Sequence, residues 1–214
     1  MPFDFGICDL GLIDYRKAYD IQRGIVVRIS QGRARSKLLF CRHRDVFTLG
    51  RGAKTGNILA SSRYLSAKGI SVVRVDRGGD VTYHGPGQLT VYPIFDLGRW
   101  VKDIRIFLRA LEQVIIGALG RFGVCGYTIE GRRGVWVAGK KIASIGIAVR
   151  RWITYHGLSL NVGKDLRYFS RINPCGMPGV KMISLEGILG RDVGISEVRS
   201  AMQEEFRRQF AVTS

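Results

Sequence analysis

Apolar residues along this chain recur in two periods, and the change from one to the other marks out the elements. The clearest helical stretch is Asp103–Phe122, where Phe107, Leu108, Leu111, Val114, Ile115, Ala118, Leu119 and Phe122 keep a 3.6-residue period and Gly123 follows the end. Asp14 is placed to cap a helix running to Ser30, with Tyr15, Ala18, Tyr19, Ile25, Val26 and Ile29 on one side. Ser61 or Ser62 opens a short helix to Lys68, and Ser196 caps a last helix to Phe210 with Val198, Met202 and Phe206 inward. Strand-like runs fall at Lys37–Arg42, Val46–Leu49, Ile70–Val75, Leu89–Ile94, Gly134–Ala138, Lys141–Arg150 and Trp152–Val162. The last two almost touch, which predicts one antiparallel ribbon with a bend. Long helices mixed with antiparallel ribbons predict an α+β fold, with helices on one face of a mixed, mostly antiparallel sheet. Regular βαβ alternation is missing, which argues against a doubly wound fold. No repeat, low-complexity tract or linker interrupts the chain, so residues 1–214 read as a single domain.

Composition adds little to this until charge is considered. With 46% hydrophobic and 24% charged residues over 214 positions, the chain can bury a core without staples. Its longest apolar run, Val114–Leu119, is flanked by Glu112, Gln113 and Arg121, far short of the roughly 18 residues of a membrane span. The opening MPFDFGICDLGLIDYRKAYD carries acids early and has no basic region followed by an apolar one. The expectation is a cytoplasmic chain that does not engage a membrane. A net charge of +17, from 34 basic against 17 acidic residues, attracts polyanions. Charge alone puts nucleic acid first, but the basic residues form no block and no helix-turn-helix or zinc-finger pattern. An acidic protein partner accounts for the charge equally well, and a basic bias of the whole proteome is the plain alternative.

Four segments carry candidate chemistry. Arg77–Leu89, RGGDVTYHGPGQL, has too many glycines for an ordinary strand, and Gly78–Gly79 can bring backbone N–H groups against a ligand. It is neither a P-loop nor GxGxxG, so nucleotide binding is not supported. In Gly134–Gly146, GVWVAGKKIASIG, strand alternation turns one of Lys140 and Lys141 to solvent and the other to the sheet's ligand face; two solvated lysines in a hairpin is the competing reading. A lysine aimed into an apolar site trades protons more readily than one in water. Of the cysteines at 8, 41, 125 and 175, none forms a CxxC pair, so neither a disulfide framework nor a zinc site is expected. Cys41 and Cys125 sit in apolar runs and read as buried. Cys175, between Pro174 and Gly176 in INPCGMP, is presented on a turn and is the best nucleophile candidate. The fourth segment, HGLSLNV at His156–Val162, puts His156 and Gly157 near the site, although a lone strand histidine is more often structural.

These segments, with VFTLGR at Val46–Arg51, resemble in order and spacing the octanoyl-acyl carrier protein:protein octanoyltransferases, which share a fold with lipoate and biotin protein ligases. The resemblance runs over nearly the whole chain. It implies that Cys175 is the acyl-thioester nucleophile and Lys141, directly before Ile142, its partner, with Lys140 a bystander. It implies an acyl channel lined by Arg77, Gly78, Gly79, Asp80, Val81, Thr82, Tyr83 and His84, by Ser144, Ile145 and Gly146, and by Gly157, Leu158 and Ser159. It implies octanoyl-acyl carrier protein as donor. The implied acceptors are lipoyl domains of 2-oxoacid dehydrogenase E2 subunits and the glycine cleavage H protein. No cofactor and no metal are implied. Ser159 stands where an alanine is usual, Met182–Leu185 read MISL instead of VTSL, and Arg44–Asp45 replace common prolines. These departures bear on acyl-chain shape and carrier contacts, not on the chemistry.

The residues make that chemistry coherent. Exchange of a thioester onto a cysteine is nearly isoenergetic, and amide formation from it runs downhill without ATP. A free thiol ionises only near a pH of about 8.5, so a cysteine nucleophile needs an activator such as an adjacent ammonium. Three rivals differ in kind: an ATP-dependent lipoate or biotin ligase that does not need Cys175, a thiol hydrolase pairing Cys175 with His84 or His156, and a basic nucleic-acid-binding protein without catalysis.

Overall fold

A computed structural model describes residues 3–210 of the chain. The strands are β1 Phe5–Ile13, β2 Ser36–His43, β3 Val46–Leu49, β4 Ser71–Arg74, β5 Val81–His84, β6 Gln88–Ile94, β7 Tyr127–Ile129, β8 Arg132–Val137, β9 Lys140–Arg150 and β10 Ile153–Asn161. The helices are α1 Tyr15–Ser30, α2 Ser62–Ala67, α3 Ile104–Gly120, α4 Leu185–Leu189 and α5 Ile195–Phe210. The fold is α+β, but its strands form two sheets and not one. A seven-stranded sheet has the order β1-β2-β6-β10-β9-β8-β7, and a three-stranded sheet the order β4-β3-β5. Both are mixed: β1 runs parallel to β2 and β4 parallel to β3, while the remaining neighbours are antiparallel.

Caps and periodicity fix the long helices. Asp14 Oδ1 accepts from the amides of Arg16 and Lys17 at 2.9 and 3.1 Å, and Asp103 Oδ1 from those of Arg105 and Ile106 at 2.6 and 3.1 Å. Ser61 caps α2. Ser196 does not cap the last helix, which already begins at Ile195, and α3 stops at Gly120, before Phe122.

Helices cover both faces of the large sheet, against the expectation of one. The apolar side of α1 packs on Leu39, Cys41, Tyr92, Ile94 and Tyr155. α3 and α5 pack on the opposite face, against Leu38, Phe40, Leu89, Val91, Leu158 and Leu160. Burial on both sides is why β6 and β10 are buried at every position and read as continuous runs instead of alternating ones. β1 was not foreseen, because FGICDLGLI lies at an exposed edge where few positions need be apolar. The small sheet has its own core of Phe47, Leu49, Val81 and Tyr83 with Leu65 of α2, Phe169 and Ile172. The two sheets therefore meet along a seam beside α1, and the seam holds the site.

At the centre of the large sheet a Cβ on Gly157 would lie 2.1 Å from the Val91 carbonyl oxygen and 2.7 Å from Pro93 Cδ. Gly157→Ala is expected to destabilise the fold by roughly 1–3 kcal/mol or more, the cost of overpacking. Urea unfolding checks this, and an unchanged midpoint would mean the close approach is wrong.

Candidate active site

Three adjacent strands supply the floor of a cavity. Thr90 of β6 pairs with Ser159 of β10, which pairs with Ser144 of β9, and Gly157 pairs with Gly146 one step along. Small residues in line across a sheet leave a trough that larger ones would fill. The roof comes from the small sheet and the loop leading into it. Strand alternation turns Thr82 and His84 of β5 into the cavity. Gly78 N–H donates to the Ile147 carbonyl at 2.8 Å, pinning the loop to β9. The buried Arg77 guanidinium donates from Nη2 to both Thr48 O and Thr48 Oγ1 at 2.8 Å. Burial pushes its pKa below the ordinary guanidinium value.

The cavity, about 450 Å³ including its open mouth, is lined by Arg77, Gly78, Gly79, Asp80, Thr82, His84, Ser144, Ile145, Gly146, Gly157, Leu158, Ser159 and Cys175, with His156. Val81 and Tyr83, expected in the lining, do not belong to it. Period-two alternation points them the other way, into the Phe47–Phe169 cluster, where Tyr83 OH donates to Asp45 Oδ1 at 2.6 Å. Tyr15, Thr90 and Tyr92 complete the wall and had no signal beyond their place in apolar elements. Thr82 Oγ1 and Thr90 Oγ1 are buried there without a hydrogen-bond partner.

Cys175 sits on a one-turn 3₁₀ segment, Pro174–Gly176, with φ +58°, a left-handed conformation that a side chain makes costly. Its loop is held by neighbours. Asn173 N–H donates to Asn57 O at 2.8 Å, Asn57 Nδ2 donates to Asp80 Oδ2 at 2.7 Å, and Asp80 Oδ2 leaves no room for a Cβ on Gly176. Alternation along β9 exposes Lys140 and removes Lys141 from solvent. Lys141 Nζ donates to the Arg133 carbonyl at 2.7 Å and lies 3.2 Å from Cys175 Sγ. The indole face of Trp136 is 5.6 Å from the same Nζ. The backbone of Lys141 is fixed too: its N–H donates to Lys181 O, and its C=O accepts from Ile183 N. The other cysteines are placed differently. Cys41 is buried, and burial pushes its thiol up; Cys8 is exposed, and so is Cys125, against the expectation that it is buried.

No histidine is placed to activate the thiol. His84 Nδ1 is 3.2 Å from Gln88 Oε1. His156, with φ +55°, has Nε2 2.9 Å from Asp76 Oδ1 and Nδ1 3.4 Å from Tyr15 OH. Burial raises Asp76, but hydrogen bonds from Tyr155, His156 and Tyr19 outweigh it and hold the carboxyl at about 2. Among the described residues, no group of three or more His, Cys, Asp or Glu side chains could share a metal ion, and no helix is long and apolar enough to cross a membrane.

The chain has relatives of known family. A model of the lipoyl protein ligase A/B catalytic domain matches residues 14–207. An octanoyltransferase of Geotalea uraniireducens is 44% identical over 200 residues, covering 94% of this chain and 90% of its own. The chain belongs to the octanoyltransferase family. A second member, from Syntrophotalea carbinolica, is 45% identical over 201 residues, covering 94% of this chain and 92% of its own. The fold extends further. A bi-partite lipoate protein ligase from Thermoplasma acidophilum, described with its E2 lipoyl domain, superposes with a TM-score of 0.75 at 19% identity over 95% of this chain and 83% of that one.

All three histidines of the chain are buried, and burial is the largest cause lowering each: His43 below its usual value, His84 well below, His156 to about 4. The folded state thus refuses protons that the unfolded chain accepts near a pH of about 6.5. Stability is complete above that pH and falls as the pH drops below it, by about 1.4 kcal/mol per pH unit for each proton withheld. Melting temperatures between pH 7.5 and 5 should therefore decline, and His156→Asn should flatten part of the slope. A level profile would show that the histidines charge freely in the fold.

Proposed function

We propose that the protein transfers an octanoyl group from acyl carrier protein to a lysine of a lipoyl domain through a thioester on Cys175. The observation that carries this reading is the 3.2 Å contact between Lys141 Nζ and Cys175 Sγ beside a cavity floored by small residues. The names of the 44–45% identical relatives support octanoyl transfer, and the E2 lipoyl domain described with the archaeal ligase supports the acceptor. Lipoyl domains of 2-oxoacid dehydrogenase E2 subunits and the glycine cleavage H protein are the acceptors proposed.

In the first half-reaction the Cys175 thiolate attacks the carrier's thioester carbon. The bond to the carrier sulfur breaks, and Lys141 gives that sulfur a proton. In the second, an acceptor lysine amine attacks the Cys175 thioester and neutral Lys141 takes its proton. Collapse expels the Cys175 thiolate, which restores the starting pair. The cavity formed by the trough and the roof of β5 takes the acyl chain, with Val81 and Tyr83 serving the core behind it. The +17 charge steers acidic carriers and acceptors to the enzyme.

Intact-protein mass after incubation with octanoyl-acyl carrier protein, without ATP, tests the route. Wild type should gain one octanoyl group that a lipoyl domain discharges, and Cys175→Ala should gain none; an equal adduct on Cys175→Ala would overturn the reading. Lys141→Ala should slow both half-reactions at least about a hundredfold, the usual contribution of a positioned proton donor. The rate of acylation at low carrier concentration should fall several-fold between low and physiological salt, as a screened encounter does. A salt-independent rate would remove steering.

A further inference from the structure

Glu112 lies on α3, outside the cavity, and only 6% of it is exposed. A buried carboxylate needs partners, and this one has two. Oε1 and Oε2 accept from Arg133 Nη1 at 3.1 and 3.2 Å, and Oε1 accepts from Gly134 N–H at 3.3 Å. The second contact matters for the dyad, because that N–H belongs to the same peptide unit as the Arg133 carbonyl, which accepts from Lys141 Nζ at 2.7 Å. One planar peptide group therefore has an anion at its N–H end and the lysine at its C=O end. Its rotation is fixed by Gly134, at φ +115°, where a Cβ would meet the Ala143 carbonyl oxygen at 2.4 Å and Lys141 Cε at 2.8 Å.

We propose that Glu112 is a positioning residue for Lys141, acting through the Arg133–Gly134 peptide to hold its charged ammonium against Cys175. This rests on the Cys175–Lys141 reading given above. The carboxylate polarises the peptide, and a polarised carbonyl is a stronger acceptor for an ammonium than for an amine. The order of charges is carboxylate, peptide, ammonium, thiolate. The negative group thus sits at the lysine end of the pair and favours the proton on nitrogen over sulfur. The groups that could oppose or mimic this are Arg109, Glu130, Arg132 and Arg133 in the cleft around Glu112, and Arg77, Asp80, His84 and His156 in the cavity wall with Cys175.

The test is the rate and pH profile of Cys175 alkylation by iodoacetamide, with octanoyl transfer kinetics and melting temperature measured alongside, in a background where exposed Cys8 and Cys125 are changed to serine. Glu112→Gln keeps an acceptor for Gly134 N–H and loses the charge and the second acceptor for Arg133. It should slow alkylation near neutral pH roughly fivefold, about the difference between a charge-assisted and a neutral hydrogen bond, and move the profile to higher pH. It should lower kcat by a similar factor and leave KM for the carrier unchanged. Arg133→Gln removes the competing cation while the peptide stays, and should speed alkylation. Unchanged alkylation in Glu112→Gln, or slower alkylation in Arg133→Gln, would overturn the proposal. Lys141→Ala in the same assay separates the two readings: if it alkylates like wild type the dyad itself fails, and if it slows while Glu112→Gln does not, only the role of Glu112 fails.

Discussion

A lysine amine with no contact to solvent is the constraint around which the site is built. Lys141 is fully buried, and its Nζ has a carbonyl, a sulfur and an aromatic face for company. Burying an ammonium is tolerable only where polar partners replace water. The chain meets that need with local irregularities. The pairing of β8 with β9 shifts register between Val135 and Trp136, and Gly134 adopts a conformation closed to other residues. Beside them the Arg133 carbonyl accepts from the lysine side chain.

The cavity follows from a second feature, that the two sheets have separate cores. α1 covers part of one face of the large sheet, and the small sheet covers the neighbouring part. Between them the floor carries hydroxyls and glycines in place of interlocking side chains, so the gap does not close. Histidines kept neutral by burial, together with Tyr15 and Tyr92, line its wall. Apart from Arg77, Asp80 and Cys175, the wall carries no charged side chain, which suits an uncharged acyl chain.

Much of this was legible in the residues, for local reasons. A capping aspartate followed by a 3.6-residue period defines α1 and α3 wherever they pack. A cysteine between proline and glycine cannot sit in a helix or strand, so its display on a turn follows from the two neighbours. Strand period turned one of Lys140 and Lys141 inward, and the resemblance alone chose which. What was not legible depends on partners distant in the chain. Nothing in FGICDLGLI announces a strand, since an edge is satisfied by one neighbour. Val81 and Tyr83 were read with the loop before them because the glycines hid a four-residue strand that alternates. Helices were placed on one face because continuous apolar strands do not say which side each residue serves. Glu112 gave no sign of itself, as its meeting with the Gly134 turn is set by how α3 lies across the sheet.

The pairing of Lys141 with residues 181–183 has a mechanical consequence. Cys175 and Lys141 are 34 positions apart in the chain. Yet the stretch that carries the cysteine continues within a few residues into the segment hydrogen-bonded to the lysine's own backbone, through Lys181 O and Ile183 N. The sulfur and the nitrogen are thus tied through one short segment of chain. A displacement of residues 175–183 would therefore be felt at the Lys141 backbone as well as at the sulfur.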